Sequence, residues 1–317
     1  MRIFVEVIAG FLGVSSATAA ELPCAQVRVV VPYAAGGATD VAARLISQGL
    51  EAALKKSFVV ETRTGATGNV GTAAVATSPP DGCTLLVNGA VIATFPYSFS
   101  KLPYDPIKDL VPVGGIGITP TLVVTANTKI NGVKGLLDWS REKPEGLSFS
   151  TAGYGLLQHL AIEELATRAG AKFTHVPYRG GGQATTDLLT GRLDFGSFAA
   201  GSVIPSVREG QLKAVAVIQE TRSALTPDVP TTAEQGISGL NAGVHFMLFA
   251  PAATPKEVVA LLGEELRKVV GDPALSKRFA DIGFDPTPIL SEEASRILRK
   301  TGDDWAPVIK RLNIKLD

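Results

Sequence analysis

Histidine and cysteine are too sparse in this chain to build a metal centre: 3 His and 2 Cys stand among 317 residues. None of His159, His175 and His245 has a Cys or a second His at ligand spacing, so the usual zinc arrangements are excluded. Charge is scarce as well. Asp, Glu, Lys and Arg make up 19%, and 30 basic residues balance 30 acidic ones with no Lys/Arg run. A neutral chain of this kind has no field to draw it to a polyanion, so nucleic acid and anionic membrane surfaces drop out as partners. No apolar stretch approaches the roughly 20 residues that cross a bilayer. Signatures of cofactor and hydrolase chemistry are missing too. No Gly-Lys-Ser/Thr, no third glycine at dinucleotide spacing and no Gly-x-Ser-x-Gly elbow occurs, and no cofactor is expected.

What is there is hydrophobic and rich in turns: 45% of residues are hydrophobic and 33 are Gly, a composition suited to compact α/β packing. At this length two domains are the prior expectation. Near the start, Arg2 precedes a mostly apolar stretch at residues 7–14 and a small-residue run at 15–20. This reads as a secretory signal peptide over residues 1–20, leaving a mature chain from about Glu21. In an exported protein Cys24 and Cys83 meet oxidising conditions and are open to a disulfide. Leu22 and Pro23 lack the small-residue pattern expected ahead of a lipidated cysteine.

Residues 26–32, Gln-Val-Arg-Val-Val-Val-Pro, form a β-branched run suited to a buried parallel strand. Gly36 and Gly37 follow. A helix with Asp40 as its N-cap is then expected to about Lys55, with Val41, Leu45, Ile46, Leu50 and Leu54 on one face. Strands at residues 57–62 and 84–88 flank a Gly-rich turn and helix over 65–76. Alternation of this kind implies a mainly parallel sheet covered on both faces.

A second set begins after the apolar strand at residues 121–125, read as the first crossing between domains. Strands at 147–150, 173–178, 193–198 and 213–218 alternate with helices over 156–169 and beyond Gly180–Gly182. The apolar run 244–250 carries the chain back. Thr254-Pro255-Lys256-Glu257 offers a capping box, and Asp272-Pro273 and Ser291 begin two more helices. The division expected is a discontinuous first domain, residues 21–123 and 244–317, around a second, residues 124–243.

A strand, a glycine turn and a helix N-terminus together make an anion cradle, because first-turn N–H groups lack intrahelical acceptors and carry a partial positive charge. For either turn alone, a glycine that merely permits the bend explains as much. Two such turns in two domains, with Gly180–Gly182 as a third, favour a cleft that takes an anion. Tyr33, Tyr154 and Tyr178 stand beside these turns, and His159 sits one helical turn beyond the second. Packing is the ordinary role of each of these residues, but each also brings a polar tip to the cleft.

At the turns the sequence strongly resembles the Bug-type receptors, the periplasmic solute-binding proteins of tripartite tricarboxylate transporters. The matching stretches are Val27-Arg-Val-Val-Val-Pro-Tyr-Ala-Ala-Gly-Gly-Ala-Thr-Asp40, Pro80-Asp-Gly-Cys-Thr-Leu-Leu86, Lys101-Leu-Pro-Tyr-Asp105, His175-Val-Pro-Tyr-Arg-Gly180 and Pro227-Asp-Val-Pro-Thr231. They follow the family's order across nearly the whole mature chain. The resemblance implies a two-domain, type II periplasmic-binding fold, likened to a Venus flytrap, that closes on a small carboxylate and hands it to membrane subunits. It implies a periplasmic, monomeric receptor and not an enzyme. It also implies that backbone amides hold the ligand at residues 33–37 (Tyr33, Ala34, Ala35, Gly36, Gly37) and 151–155 (Thr151, Ala152, Gly153, Tyr154). Asp40, Asn88, His159, Tyr178 and Gly180 complete the candidate site. In the family's sheet order the strands after Cys24 and Cys83 are neighbours, so the resemblance pairs these cysteines. The chain departs from the family at Ala35, Cys83 and Arg179, where Pro, Tyr and Lys are usual.

Two other readings compete. A doubly wound α/β scaffold also serves enzymes acting on small anionic metabolites; the missing motifs and the export signal count against that. The effector domain of a transcription regulator shares the plan, but no helix-turn-helix precedes the first strand.

Overall fold

The computed structural model describes residues 21–178 and 181–316; the expected signal peptide and Gly180 lie outside the described residues. The first strands and helices are β1 (Gln26–Val31), α1 (Ala38–Leu54), β2 (Ser57–Thr62), α2 (Asn69–Ala76), β3 (Thr84–Gly89), α3 (Phe95–Ser98) and β4 (Leu110–Thr119). A second series follows: β5 (Thr121–Thr125), α4 (Gly132–Glu142), β6 (Leu147–Thr151), α5 (Leu157–Ala169), β7 (Phe173–Pro177), α6 (Gly181–Leu189), β8 (Phe195–Ala199), α7 (Ala200–Arg208) and β9 (Lys213–Val217). The chain ends with β10 (Val244–Pro251), α8 (Lys256–Gly271), α9 (Pro273–Asp281), β11 (Asp285–Pro286) and α10 (Ser291–Leu312).

These elements form two mixed sheets, ordered β11-β4-β10-β3-β1-β2 and β7-β6-β8-β5-β9. Alternation along β1 shows how each sheet is buried on both faces. Val27, Val29 and Val31 point into one apolar layer with Leu45 and Ile46 of α1 and Leu262 and Leu266 of α8. Val30 points the other way, into a layer with Val75 of α2 and Ala294 and Leu298 of α10. In the second sheet Phe149 and Phe195 pack with Leu160 and Leu165 of α5, while Leu122, Val124 and Phe198 pack with helices α6 and α7. Val41 and Leu54, expected on the buried face of α1, are only half-buried; Ala42 and Ala43 take the buried places, because α1 is covered over a wider arc than a single stripe.

The chain passes between the sheets at Pro120, ahead of the boundary expected after Val123: β4 pairs in the first sheet and β5 in the second. It returns before Val244, which pairs with Thr119. Because β5 runs antiparallel to β8, its first residue Thr121 lies opposite Ala199, the last of β8. The carboxyl ends of β1 to β4 therefore meet the carboxyl ends of β6 to β9 across the crossover. Ala200 donates its N–H to Pro120 O at 2.8 Å, Ile218 to Thr121 O at 2.9 Å, and Thr121 Oγ1 donates to Ala242 O at 2.6 Å.

Two helix starts differ from expectation. Gly37, not Asp40, is the N-cap of α1, and Pro255, not Thr254, precedes α8. Thr254 Oγ1 is buried without a hydrogen-bond partner, so its hydroxyl does not close the expected capping box. Asp272 does cap α9, accepting from Ala274 and Leu275 N–H. Among the described residues no helix is long and apolar enough to cross a membrane.

Cys24 and Cys83 are joined by a disulfide, with Cα atoms 6.1 Å apart. The bridge pins the starts of the parallel neighbours β1 and β3, where Arg28 also donates its N–H to Cys83 O at 2.9 Å. It lies at the amino edge of the sheet, opposite the glycine turns. Closing a loop of 59 residues contributes about 4 kcal/mol in the chain-entropy model. Reduction, or replacement of both cysteines by serine, should lower the unfolding free energy in urea by that order and leave the fold intact. Equal stability of the oxidised and reduced protein would contradict this.

Candidate functional site

Both sheets present a strand, a glycine turn and a long helix at the facing edges, and the two turns are built alike. In the first, Gly36 takes φ +81°, a left-handed conformation that favours glycine, and donates its N–H to Asp40 Oδ2 at 3.0 Å. In the second, Gly155 takes φ +75° and donates its N–H to His159 Nδ1 at 3.1 Å. Gly37 and Leu156 are the N-caps, so Asp40 and His159 each stand in the first helical turn and reach back to the residue before the cap. The bond is like the returning half of a capping box but reaches one residue further, past the N-cap. The N–H groups of Ala38 and Thr39 at one turn, and of Leu157 and Gln158 at the other, are left without intrahelical acceptors.

Asp40 is thus a brace of the turn and not the N-cap expected from the sequence. Burial opposes its ionisation, but hydrogen bonds from Arg44 and Gly36 and the charge of Arg44 outweigh it and hold the carboxyl below the usual range. Arg44 Nε and Nη2 each lie 3.0 Å from an Asp40 oxygen. The residues between, Ala34, Ala35, Gly36 and Gly37, are exposed. Behind them lies a buried polar network. Tyr33 donates its hydroxyl to Asn88 Oδ1 at 3.2 Å, Gly89 N–H donates to the same oxygen at 2.7 Å, and Asn88 Nδ2 donates to Thr72 Oγ1 at 3.0 Å. Burial pushes the Tyr33 phenol far above its ordinary value. Asn88 is fully buried with its amide engaged on both sides, so it supports the turn from below.

The second turn is braced by imidazoles. Thr151 Oγ1 donates to Gly153 O at 2.9 Å, accepts from Gly153 N–H at 3.3 Å and lies 2.8 Å from His175 Nε2. A threonine hydroxyl has one proton and two lone pairs, so this set saturates it when His175 carries its proton on Nε2. The rings of His175 and His159 stack with centroids 4.0 Å apart, and Tyr154 lies 4.6 Å from His159 on the exposed side. Phe149 closes the inner end, 4.8 Å from His175. Burial lowers the pKa of His175 to about 3. Ala152 and Gly153 are half-buried, and Tyr154 is exposed.

Tyr178 follows β7, the neighbour of β6, and donates its hydroxyl to Asp187 Oδ2 at 2.7 Å. Burial and that bond to Asp187 raise its pKa. Its carbonyl would lie 3.9 Å from a Cβ placed on Gly153, so Tyr178 belongs to the second turn. The sequence therefore brings Thr151, Gly153, Tyr154, His159 and Tyr178 together, and separately Tyr33, Asp40 and Asn88 around residues 34–37. His175 and Thr72 escaped it. The three histidines look scattered along the chain, yet pairing of Phe149 with His175 carries His175 onto the ring of His159. Only strand register could have revealed that.

A surface groove of about 660 Å³, lined by Lys134, Leu137, Arg141, Arg168 and Ile237 among others, lies at the outer ends of α4 and α5. Its cations are already paired, Lys134 and Arg141 with Asp138 and Arg168 with Glu164. It is remote from the two turns. Among the described residues no cluster of His, Cys, Asp and Glu is arranged to hold a metal.

Two α/β lobes, joined by two crossings and meeting at the carboxyl edges of their sheets, define a solute-binding protein of the two-domain periplasmic-binding fold. The chain belongs to the TctC family, the tripartite tricarboxylate transporter family receptors, whose model matches residues 42–314. It is 31% identical to the protein BugT of Bordetella pertussis over 93% of this chain and 91% of that one. Two solved structures from Rhodopseudomonas palustris are similar throughout. One, with adipate, has a TM-score of 0.85 at 30% identity and covers 92% of this chain and 98% of its own. The other, MatC with bound malate, has a TM-score of 0.81 at 29% identity and covers 90% and 98%. The family and these neighbours are binding proteins.

The neutral, half-buried His175 makes stability depend on pH. Its ordinary value is 6.5 and its value in the fold about 3. Between these, the unfolded chain binds a proton that the fold refuses, so stability rises with pH. The contribution is complete above pH 6.5 and is lost as pH falls towards 3. His175→Gln keeps an amide donor near Nε2 and removes the titration. Urea midpoints measured from pH 7 to about pH 4 should fall more steeply for the parent than for this variant; parallel declines would show that His175 is not held neutral.

Proposed function

We propose that the protein is an exported receptor that catches a small carboxylate between its two lobes and delivers it to membrane subunits of a tripartite tricarboxylate-type transporter. The observation that carries this reading is the pair of equivalent turns at facing sheet edges, each offering first-turn amides to the same gap. Helix N-termini of this kind favour anions through unpaired N–H groups and the helix dipole. The malate and adipate bound by its relatives make a carboxylate the natural anion. The first domain of this reading comprises residue 21 up to the Pro120 crossing and residues 244–317; the second lies between. The receptor works as a periplasmic monomer, exported by residues 1–20.

The ligand's carboxylate lies against residues 34–39 from one lobe and 152–158 from the other. Because Gly36 N–H is already given to Asp40, the amides left for the ligand on the first side are those of Ala38 and Thr39. Closure is a hinge motion about the crossings at Pro120 and ahead of Val244.

Malate and adipate are the first ligands to test. A ligand at about a hundred times its Kd adds ~2.7 kcal/mol of stability, readable as a thermal shift. Gly37 has φ −73°, open to any residue, and a built Cβ meets a single neighbour, Ala34 O at 3.3 Å, a tight contact that a small shift of the turn relieves. Gly37→Leu should therefore fold, cover the amides of Ala38 and Thr39, and bind at least about tenfold more weakly, a loss of ~1.4 kcal/mol. Undiminished affinity in calorimetry, with an unchanged circular dichroism spectrum, would remove the carboxylate from this turn.

A further inference from the structure

The sequence treats His159 and His175 as packing residues or, at most, as rim contacts. Their atoms are more committed than that. His159 is 1% exposed, and its Nδ1 accepts the Gly155 N–H at 3.1 Å. An accepting Nδ1 cannot carry a proton, so His159 is neutral with its proton on Nε2, which faces Glu163 Oε1 at 3.5 Å. His175 stacks on the same ring and holds Thr151, whose hydroxyl clasps both polar groups of Gly153. The two imidazoles thus grip opposite ends of one turn, His175 at Thr151 and His159 at Gly155.

The first lobe supplies the comparison within the molecule. There the bond from the residue before the cap to the first helical turn is made by Asp40, an ionised carboxylate paired with Arg44. The second lobe makes the same bond with a neutral ring nitrogen.

We propose that His159, backed by His175, is the positioning residue of the second ligand turn: its Nδ1 fixes the Gly155 peptide, and so aims the free amides of Leu157 and Gln158 at the ligand. The effect on affinity rests on the carboxylate reading above; the fixing of Gly155 does not. Neither ring touches the ligand in this role.

Packing and hydrogen bonding are separable here. His159→Phe keeps a buried ring in the stack and loses the acceptor, whereas His159→Asn keeps an acceptor near the place of Nδ1 and loses the ring. Amide hydrogen exchange read by NMR on the exported chain tests the brace without any ligand. Gly155 should exchange about tenfold faster in His159→Phe, with Gly36 unchanged as the internal control, and should return close to the parent rate in His159→Asn. Calorimetry with malate and adipate should follow the same order, with affinity weakened about tenfold in His159→Phe and restored in His159→Asn. Gly155 exchange unaffected by His159→Phe, or equally fast in both variants, would overturn the proposal.

If neither variant folds, the parent alone decides. Near neutral pH the ¹⁵N resonance of His159 Nδ1 must be that of an unprotonated, accepting nitrogen, and a protonated Nδ1 would overturn the proposal. A parent that binds neither malate nor adipate would count against the carboxylate reading, while the exchange and ¹⁵N results would still decide the role of His159.

Discussion

The hydroxyl of Thr121 ties together the two strands of chain that connect the lobes. Fully buried, it donates to Ala242 O at 2.6 Å, while the Thr121 carbonyl accepts from Ile218 and Ala242 N–H donates back to Ile218 O. Outgoing and returning crossings are therefore one hydrogen-bonded unit. A buried side-chain bond to a carbonyl is costly to leave unmade, so the crossings move together or not at all. This unit also decides which edges face each other. With Thr121 opposite Ala199 and Thr119 opposite Val244, the carboxyl ends of β1 to β4 and of β6 to β9, and with them the turns into α1 and α5, look into one gap, while β5 and β10 run the other way. Strand polarity alone turns those edges into cradles in either lobe; the crossover sets the two edges against one gap.

The crossings are not the sole links. The C-terminal helix α10 reaches the second lobe through Arg311, which meets the buried Glu164 already held by Arg168 at 2.6 Å. Beyond it, Leu316 gives its N–H to Ser98 O and packs where a Cβ on Gly155 would sit 2.5 Å from its Cδ2. The turn at Ile282 and Gly283 lies backbone to backbone against Gly201 at the start of α7. Any change in the angle between the lobes must carry these contacts along or break them. Glu164 is buried, and a carboxylate there stripped of its cations is expensive. The α5–α10 contact therefore favours motions that pivot close to it, and Gly155 lies beside that pivot.

Much of this was legible in the sequence, for identifiable reasons. β-branched runs such as residues 26–31 and 121–125 sit on strands because full burial on both faces demands them. The glycine turns at 36–37 and 153–155 were visible because glycine takes most readily the left-handed backbone that Gly36 and Gly155 adopt. What failed was local chemistry with more than one solution. Asp40 is as good an N-cap as a brace by composition, and only the path of residues 34–37 decides between them. Thr254 heads a well-formed capping box, yet its hydroxyl is buried and unpaired. His175 could be placed on its strand but not against its partners, because Thr151, Phe149 and His159 come from another strand and a helix that only the three-dimensional pairing brings beside it.

The two turns differ in one respect that bears on how an anion is tolerated between them. Each first-turn brace has a partner four residues on: Asp40 with Arg44 in one lobe, His159 with Glu163 in the other. The acid and the base have changed places. A carboxylate at position 159 would face Glu163 as a like charge with no arginine to offset it, and a second fixed negative charge would stand at the gap proposed for a ligand carboxylate. A neutral imidazole keeps the geometry and omits the charge. On the first side the negative charge of Asp40 is neutralised by Arg44 within 3.0 Å, so neither brace repels an anion. What remains to attract it are amides and helix dipoles, whose pull is short-ranged and directional. The proposed site would then select by where the carboxylate oxygens fall, not by how much charge they carry.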